Sequence, residues 1–149
     1  MFDAIADAAV AESPLWGDAL RPAGERAPET VFSALAPAEH RIGLETIYEG
    51  YLVHYGRSRL FAPPDRDTAL LLGDYLYAHG LVRIADTGDV KAVSDLAELI
   101  SRCAQLRAES LDGDGHEWAA TARSLGESET VVDDDEVGST LAAHARLVG

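Results

Sequence analysis

The 149-residue chain has one cysteine, one lysine and no run of eighteen apolar residues. Each shortage excludes something. Cys103 alone cannot close an internal disulfide, which argues against a bridge-stapled secreted module. Without a long apolar run, no membrane-spanning helix is expected. The start, Met1 to Asp7, carries no basic side chain ahead of its apolar residues, so it does not read as a signal peptide and a cytoplasmic protein is expected. Cations are scarce as a class. Twelve Lys plus Arg face twenty-six Asp plus Glu, a net charge of −14. A surface of that sign repels phosphate backbones, so no nucleic-acid partner is expected.

What is present is a chain 47% apolar and rich in Ala, Leu and Glu. Its length suits one domain with a core of its own. Its apolar residues recur at helical spacing, and β-branched runs are few. Helices are expected over 2–12, 29–36, 38–55, from Asp65 or Asp67 onward, over 89–109, 116–125 and 136–148. Pro14 to Pro28 reads as loop with one broken turn, and the polar tract Gly126 to Asp135 as a mobile segment. In 38–55, Leu44, Tyr48, Tyr51, Leu52 and Tyr55 mark one face. Gly56 then supplies a stop. Asp65 or Asp67 caps the next helix, which buries Leu72, Tyr75 and Leu76. The expected fold is all-α: a single bundle of helices antiparallel to their neighbours, joined by short connections.

Most chemistry-bearing residues read as structural. Cys103 lies on an apolar stripe and is expected to be a buried, inert thiol. The five histidines show no i, i+4 pairing, which leaves no zinc motif. Asp112, Asp114 and His116 alternate like the start of a calcium loop. Glu117 and Arg123 stand where its glycine and its bidentate glutamate belong, so this is a turn. Asp133, Asp134, Asp135 and Glu136 form the acidic cluster a Mg²⁺ site would use. Acids at a helix start are also favoured by the dipole, and capping is the preferred reading. Tyr48, Tyr51, Tyr55, Tyr75 and Tyr77 read first as core residues with hydroxyls at the rim.

One stretch carries more. Asp67-Thr68-Ala69-Leu70-Leu71-Leu72-Gly73-Asp74-Tyr75-Leu76-Tyr77-Ala78 resembles the helix of trans-polyprenyl diphosphate synthases in which an apolar run leads into Gly-Asp-Tyr-Leu. The continuation, Thr87-Gly88-Asp89-Val90 into Leu96-Ala97-Glu98-Leu99-Ile100, is similar to the same family. Upstream, Gly17-Asp18-Ala19-Leu20-Arg21-Pro22 is similar to its diphosphate-gripping segment, with Asp18 and Ala19 where a lysine and an arginine would stand. Leu52-Val53-His54-Tyr55-Gly56 is similar to its first aspartate-rich motif, with Tyr55 and Gly56 at the aspartate positions. Arg57-Ser58-Arg59 matches what is left of a downstream basic segment.

The resemblance implies part of the isoprenoid synthase fold without its chemistry. Allylic diphosphate ionises when Mg²⁺ held by two carboxylate clusters neutralises the leaving group, and a tyrosine and a glycine supply no such oxygens. It therefore implies a non-catalytic small subunit that partners a full-length polyprenyl diphosphate synthase, or itself, through helices 38–55 and 67–107. No cofactor is expected, and Mg²⁺ only if a prenyl diphosphate site survives. Arg21, His54, Arg57 and Arg59 would be remnants of diphosphate binding. Tyr48, Tyr51, Tyr55, Leu72, Tyr75 and Leu76 could line an apolar slot for an isoprenoid. That slot motivates a second reading, an apolar-ligand-binding module. A third is a prenyltransferase whose metal site has moved to Asp133–Glu136.

Overall fold

Helix starts follow the polar residues that precede them. Ser13 accepts from Leu15 N at 3.2 Å and opens a helix whose first residue is Pro14, where a missing N–H costs nothing. Asp65 accepts from Thr68 N at 2.7 Å and Asp89 from Ala92 N at 2.9 Å, each satisfying an orphan donor of the first turn. A computed structural model describes residues 1–126 and 134–149. It is helical: α1 (Phe2–Glu12), α2 (Pro14–Ala19), α3 (Arg41–Tyr55), α4 (Arg66–Ala85), α5 (Val90–Ala108), α6 (Asp114–Ser124) and α7 (Asp134–Val148), with three 3₁₀ turns between α2 and α3. Among the described residues no strand forms, and β-type pairing is limited to an isolated bridge between Leu20 and Phe61. None of these helices is long and apolar enough to cross a membrane.

α3 is the axis. Gly43 through Leu52 are buried without interruption, so the stripe expected on one face is too narrow: the helix is enclosed on every side. It is therefore core, and the exposed positions of 38–55 are Ala38, Glu39 and Arg41 at its start. Two apolar clusters flank it. The larger joins Tyr48, Tyr51 and Leu52 to Phe32, Leu96, Cys103 and Trp118; the smaller joins Phe2, Ile5 and Trp16 to Leu60, Phe61, Leu72 and Leu76.

α3 and α4 form the most extensively packed pair, and glycine sets their separation. Gly43 faces Gly80 and Gly50 faces Gly73, in antiparallel register with the glycines seven residues apart on each helix. A Cβ on Gly80 would lie 2.9 Å from Ile47 N and 3.0 Å from Gly43 O, and one on Gly50 2.9 Å from Gly73 O. These neighbours are backbone atoms and cannot yield without moving a helix. The glycine of the Gly73-Asp74-Tyr75-Leu76 stretch is thus a packing requirement.

Three expected boundaries shift. Residues 29–36 form no α-helix; only Ser33–Leu35 turns, because the amides of Val31 and Ser33 are taken by the Glu45 side chain at 3.1 and 3.3 Å. α6 begins at Asp114, with Gly113 before it at φ 114°, so Asp112 to Gly113 alone makes the turn. Pro14 begins a six-residue helix inside the expected loop. Of the tract expected to be mobile, 127–133 lie outside the described residues.

Gly80→Ala should destabilise the fold by about 1–3 kcal/mol through forced separation of α3 and α4, read as a lower midpoint in urea unfolding at unchanged slope.

Candidate functional site

Two clusters of ionisable side chains are buried or half-buried, and the outward face of α4 and α5 carries few of the rest. In the first cluster the Arg59 guanidinium is 2% exposed. Its Nε donates to Glu49 at 2.9 Å, and Nη1 donates to Glu45 at 2.7 Å and to the Glu29 carbonyl at 2.8 Å. The second oxygen of Glu49 accepts from Leu60 N at 2.9 Å and from the Ser58 hydroxyl. Arg59 Cζ also lies 4.8 and 5.0 Å from the ring centres of Phe2 and Tyr48. Burial works against the guanidinium charge, but the two glutamates beside it outweigh that and raise its pKa.

The second cluster centres on Asp114, the first residue of α6. One carboxylate oxygen accepts from Arg107 Nη2 at 2.8 Å, from His144 Nε2 at 3.0 Å and from the Tyr51 hydroxyl. The other nitrogen of His144 meets the Tyr48 hydroxyl at 2.8 Å. Burial alone would raise the Asp114 carboxyl, yet the bonds from His144 and Tyr51, reinforced by Arg107, hold it well below the usual carboxylate range. Burial raises the phenols of Tyr48 and Tyr51 and pushes the nearby Cys103 thiol up to about 12, which leaves it protonated at neutral pH. The cluster ties α3, α5, α6 and α7 at one point.

The residues singled out for diphosphate do not converge. Arg59 turns inward to its glutamates. Arg21 Nε donates to the Ser58 carbonyl at 3.0 Å. Arg57 is exposed, and its amide donates to the Leu147 carbonyl at 2.8 Å. His54 faces α4, its ring 5.1 Å from that of Tyr77. The six residues suggested for a slot divide between the two cores: Tyr48, Tyr51 and Tyr55 belong with the larger, and Leu72, Tyr75 and Leu76 with the smaller. Space beside Tyr48 and Tyr51 is filled by Trp118, at ring distances of 5.0 and 5.5 Å. Asp134 and Asp135 lie in the first turn of α7, whereas Asp133 is outside the described residues. Among the described residues no three His, Cys, Asp or Glu side chains are grouped to hold a metal.

Between Leu70 and Ala85, the exposed positions of α4 are Leu70, Leu71, Asp74, Ala78, Val82 and Ala85. On α5 the charges keep to the flank beside α6. There Arg102 pairs with Glu117 at 3.2 Å, and Lys91, Asp95 and Glu98 complete a groove of about 320 Å³. Away from that flank, the exposed positions of α5 are Val90, Ser94, Ala97, Ser101, Ala104, Gln105 and Ala108, with Val90 80% exposed. Helical periodicity joins these arcs into one face on which Asp74 is the one ionisable group from Leu70 onward; exposed Asp67 continues the arc into the first turn of α4, and exposed Lys91, Glu98 and Arg102 edge it on α5.

Sequence reasoning missed both clusters. A signal for the first was present, since Glu45 and Glu49 sit i, i+4 among Leu44, Ile47, Tyr48 and Leu52, on a helix too apolar to expose them. The second joins residues up to 96 positions apart, and no local pattern announces it.

Arg59→Met should cost about 3–5 kcal/mol by stranding two buried carboxyl groups, while exposed Arg57→Met should stay within about 0.5 kcal/mol; urea unfolding checks both. Asp114→Asn should cost about 2 kcal/mol at pH 7 through weakened charge-assisted bonds. A carboxyl whose pKa is lowered by folding contributes stability above its unfolded value, about 3.9, and loses it as pH falls towards the folded one. The gap between native chain and variant should therefore narrow below about pH 4, in thermal unfolding across pH 3–7.

No family model, curated protein or solved structure matches this chain.

Proposed function

We propose that this chain is a non-catalytic helical subunit that assembles through the outward face of α4 and α5, with a second copy of itself as the occupant. One observation carries the reading. On a protein of net charge −14, the outward positions of α4 from Leu70 to Ala85 and of α5 away from α6 are Leu, Val, Ala, Ser and Gln105 with one acid, Asp74, while exposed Asp67, Lys91, Glu98 and Arg102 stand at the edges. At ~1.5 Å per residue the helices run about 30 Å, and two packed side by side are about 20 Å across. That gives about 600 Å² per copy, the lower bound for a specific interface. Two such molecules repel wherever their acidic surfaces meet, and this face brings fewer like charges together than the rest of the surface.

A second reading rests on the resemblance of Gly73-Asp74-Tyr75-Leu76 to the polyprenyl diphosphate synthase helix. Under it, the same plane packs against a full-length synthase, and this chain is the small subunit that helps set product length. Tyr55 and Gly56, at the aspartate positions of the motif, support a non-catalytic role. Co-purification with such a synthase, and a change in its product chain length on mixing, would support it. An isoprenoid-binding role receives less support, because Trp118 occupies the space beside Tyr48 and Tyr51. The relocated metal site receives less again, since it needs acids beyond Asp134 and Asp135 to converge.

Sedimentation of the full chain is expected to show a dimer. Val82→Glu and Ala97→Glu each place a new acid in the plane and should weaken it by about tenfold or more, because like charges face each other in the contact, with the helical circular dichroism unchanged. A monomer at every concentration, or a dimer indifferent to both substitutions, would sink the self-assembly reading.

A further inference from the structure

Tyr75, His79 and Arg83 stand one turn apart in a single row on α4, and α1 lies along that row. The Tyr75 hydroxyl donates to the Ala8 carbonyl at 3.3 Å, and Arg83 Nη2 donates to the Ala4 carbonyl at 3.4 Å. α1 therefore runs antiparallel to the row, with His79 between the two contacts. Both bonds are long, and both carbonyls already accept within α1 itself. α1 otherwise depends on burial of Phe2, Ile5, Ala6 and Ala9. It covers the smaller apolar cluster and, through the Phe2 ring, one face of the Arg59 guanidinium, whose Nη2 is buried without a partner.

The seam is dry where it is polar. Nε2 of His79 and Nε of Arg83 are both buried, and neither has a hydrogen-bond partner. The Tyr75 ring stacks on the imidazole with centres 5.5 Å apart. A neutral imidazole tolerates this, because it can hold its hydrogen on Nδ1 and leave Nε2 a bare lone pair. A protonated one cannot. It becomes a donor at Nε2 with no acceptor, on the same row as a guanidinium of like charge. We infer that α1 is an acid-released cover: a proton taken up by His79 loosens the α1–α4 seam and opens the apolar cluster beneath it. Self-assembly is not needed for it.

The groups facing the imidazole set the sign. Burial lowers its pKa most, and Arg83 lowers it further; Glu12 of α1 and Asp86 at the end of α4 are exposed and oppose them without prevailing. Burial raises the Tyr75 phenol, which stays uncharged. Freed from the seam, the ring returns to the ordinary histidine value, about 6.5. A histidine whose pKa is lowered by docking supports the docked state above that value. The support is lost as pH falls from there to the docked pKa. Acid therefore shifts α1 outward by at most one proton per chain, or about tenfold per pH unit in the opening equilibrium.

The test is amide hydrogen exchange of the full chain at pH 7 and pH 5.5, corrected for intrinsic rates, at a fixed ionic strength of about 0.15 M. Protection of α1 should fall about threefold or more from pH 7 to pH 5.5, while that of α3 holds. His79→Phe keeps a ring against Tyr75 and has no charge to gain, so α1 protection should be level between the two conditions. His79→Gln, a second uncharged side chain, should behave alike. An α1 profile in both variants parallel to the native one would overturn the proposal. So would loss of α1 and α3 protection together in the native chain.

Discussion

A guanidinium at the centre of a protein must be matched there, and Arg59 is matched by three residues from two segments at once. Glu45 and Glu49, one turn apart on α3, hold its Nη1 and Nε, and the Glu29 carbonyl takes a further bond. The same glutamates accept the amides of Val31, Ser33 and Leu60. Both irregular stretches of the chain are thus fastened to the one helix that is buried all round. Removing charge from any member leaves another unmatched in a medium that punishes it, so the cluster selects one arrangement of loops around α3. Its mutual attraction adds little net stability once the cost of desolvation is counted. Its role is to make alternatives expensive.

With α3 fixed, α4 can be placed by shape alone. The facing glycines bring the two backbones together and leave the far side of α4 turned outward. The face shared with α5 is the residue of this construction: Arg102 and Arg107 of α5 find partners on α6, and Val, Ala, Ser and Gln105 remain outward.

Helices and their starts were legible because their causes are local. An acid before an apolar run, Asp65 or Asp67, announces the start of α4, and Cys103 sits on the inner side of α5 as its apolar stripe suggests. Residues 29–36 were misread because the competitor for their amides is Glu45, on another element. The width of the buried face of α3 was missed because a periodic template counts Glu, Thr and Gly as outward residues, and here they are enclosed. Candidate site residues fared unevenly for the same reason: sequence can propose that Arg59 binds an anion, but which anion depends on where its neighbours fold. The outward plane of α4 and α5 becomes visible only when α1, α3 and α6 have claimed the other sides.

Trp16 and Trp118 divide between the two apolar clusters, one on each side of α3. Trp16 stacks on Tyr75 with ring centres 6.0 Å apart, while Trp118 is sealed among Phe32, Tyr48 and Tyr51. Each indole is therefore a native optical reporter on a separate half of the molecule. Loosening of the α1–α2 cover changes the emission of one, and departure of α6 changes that of the other.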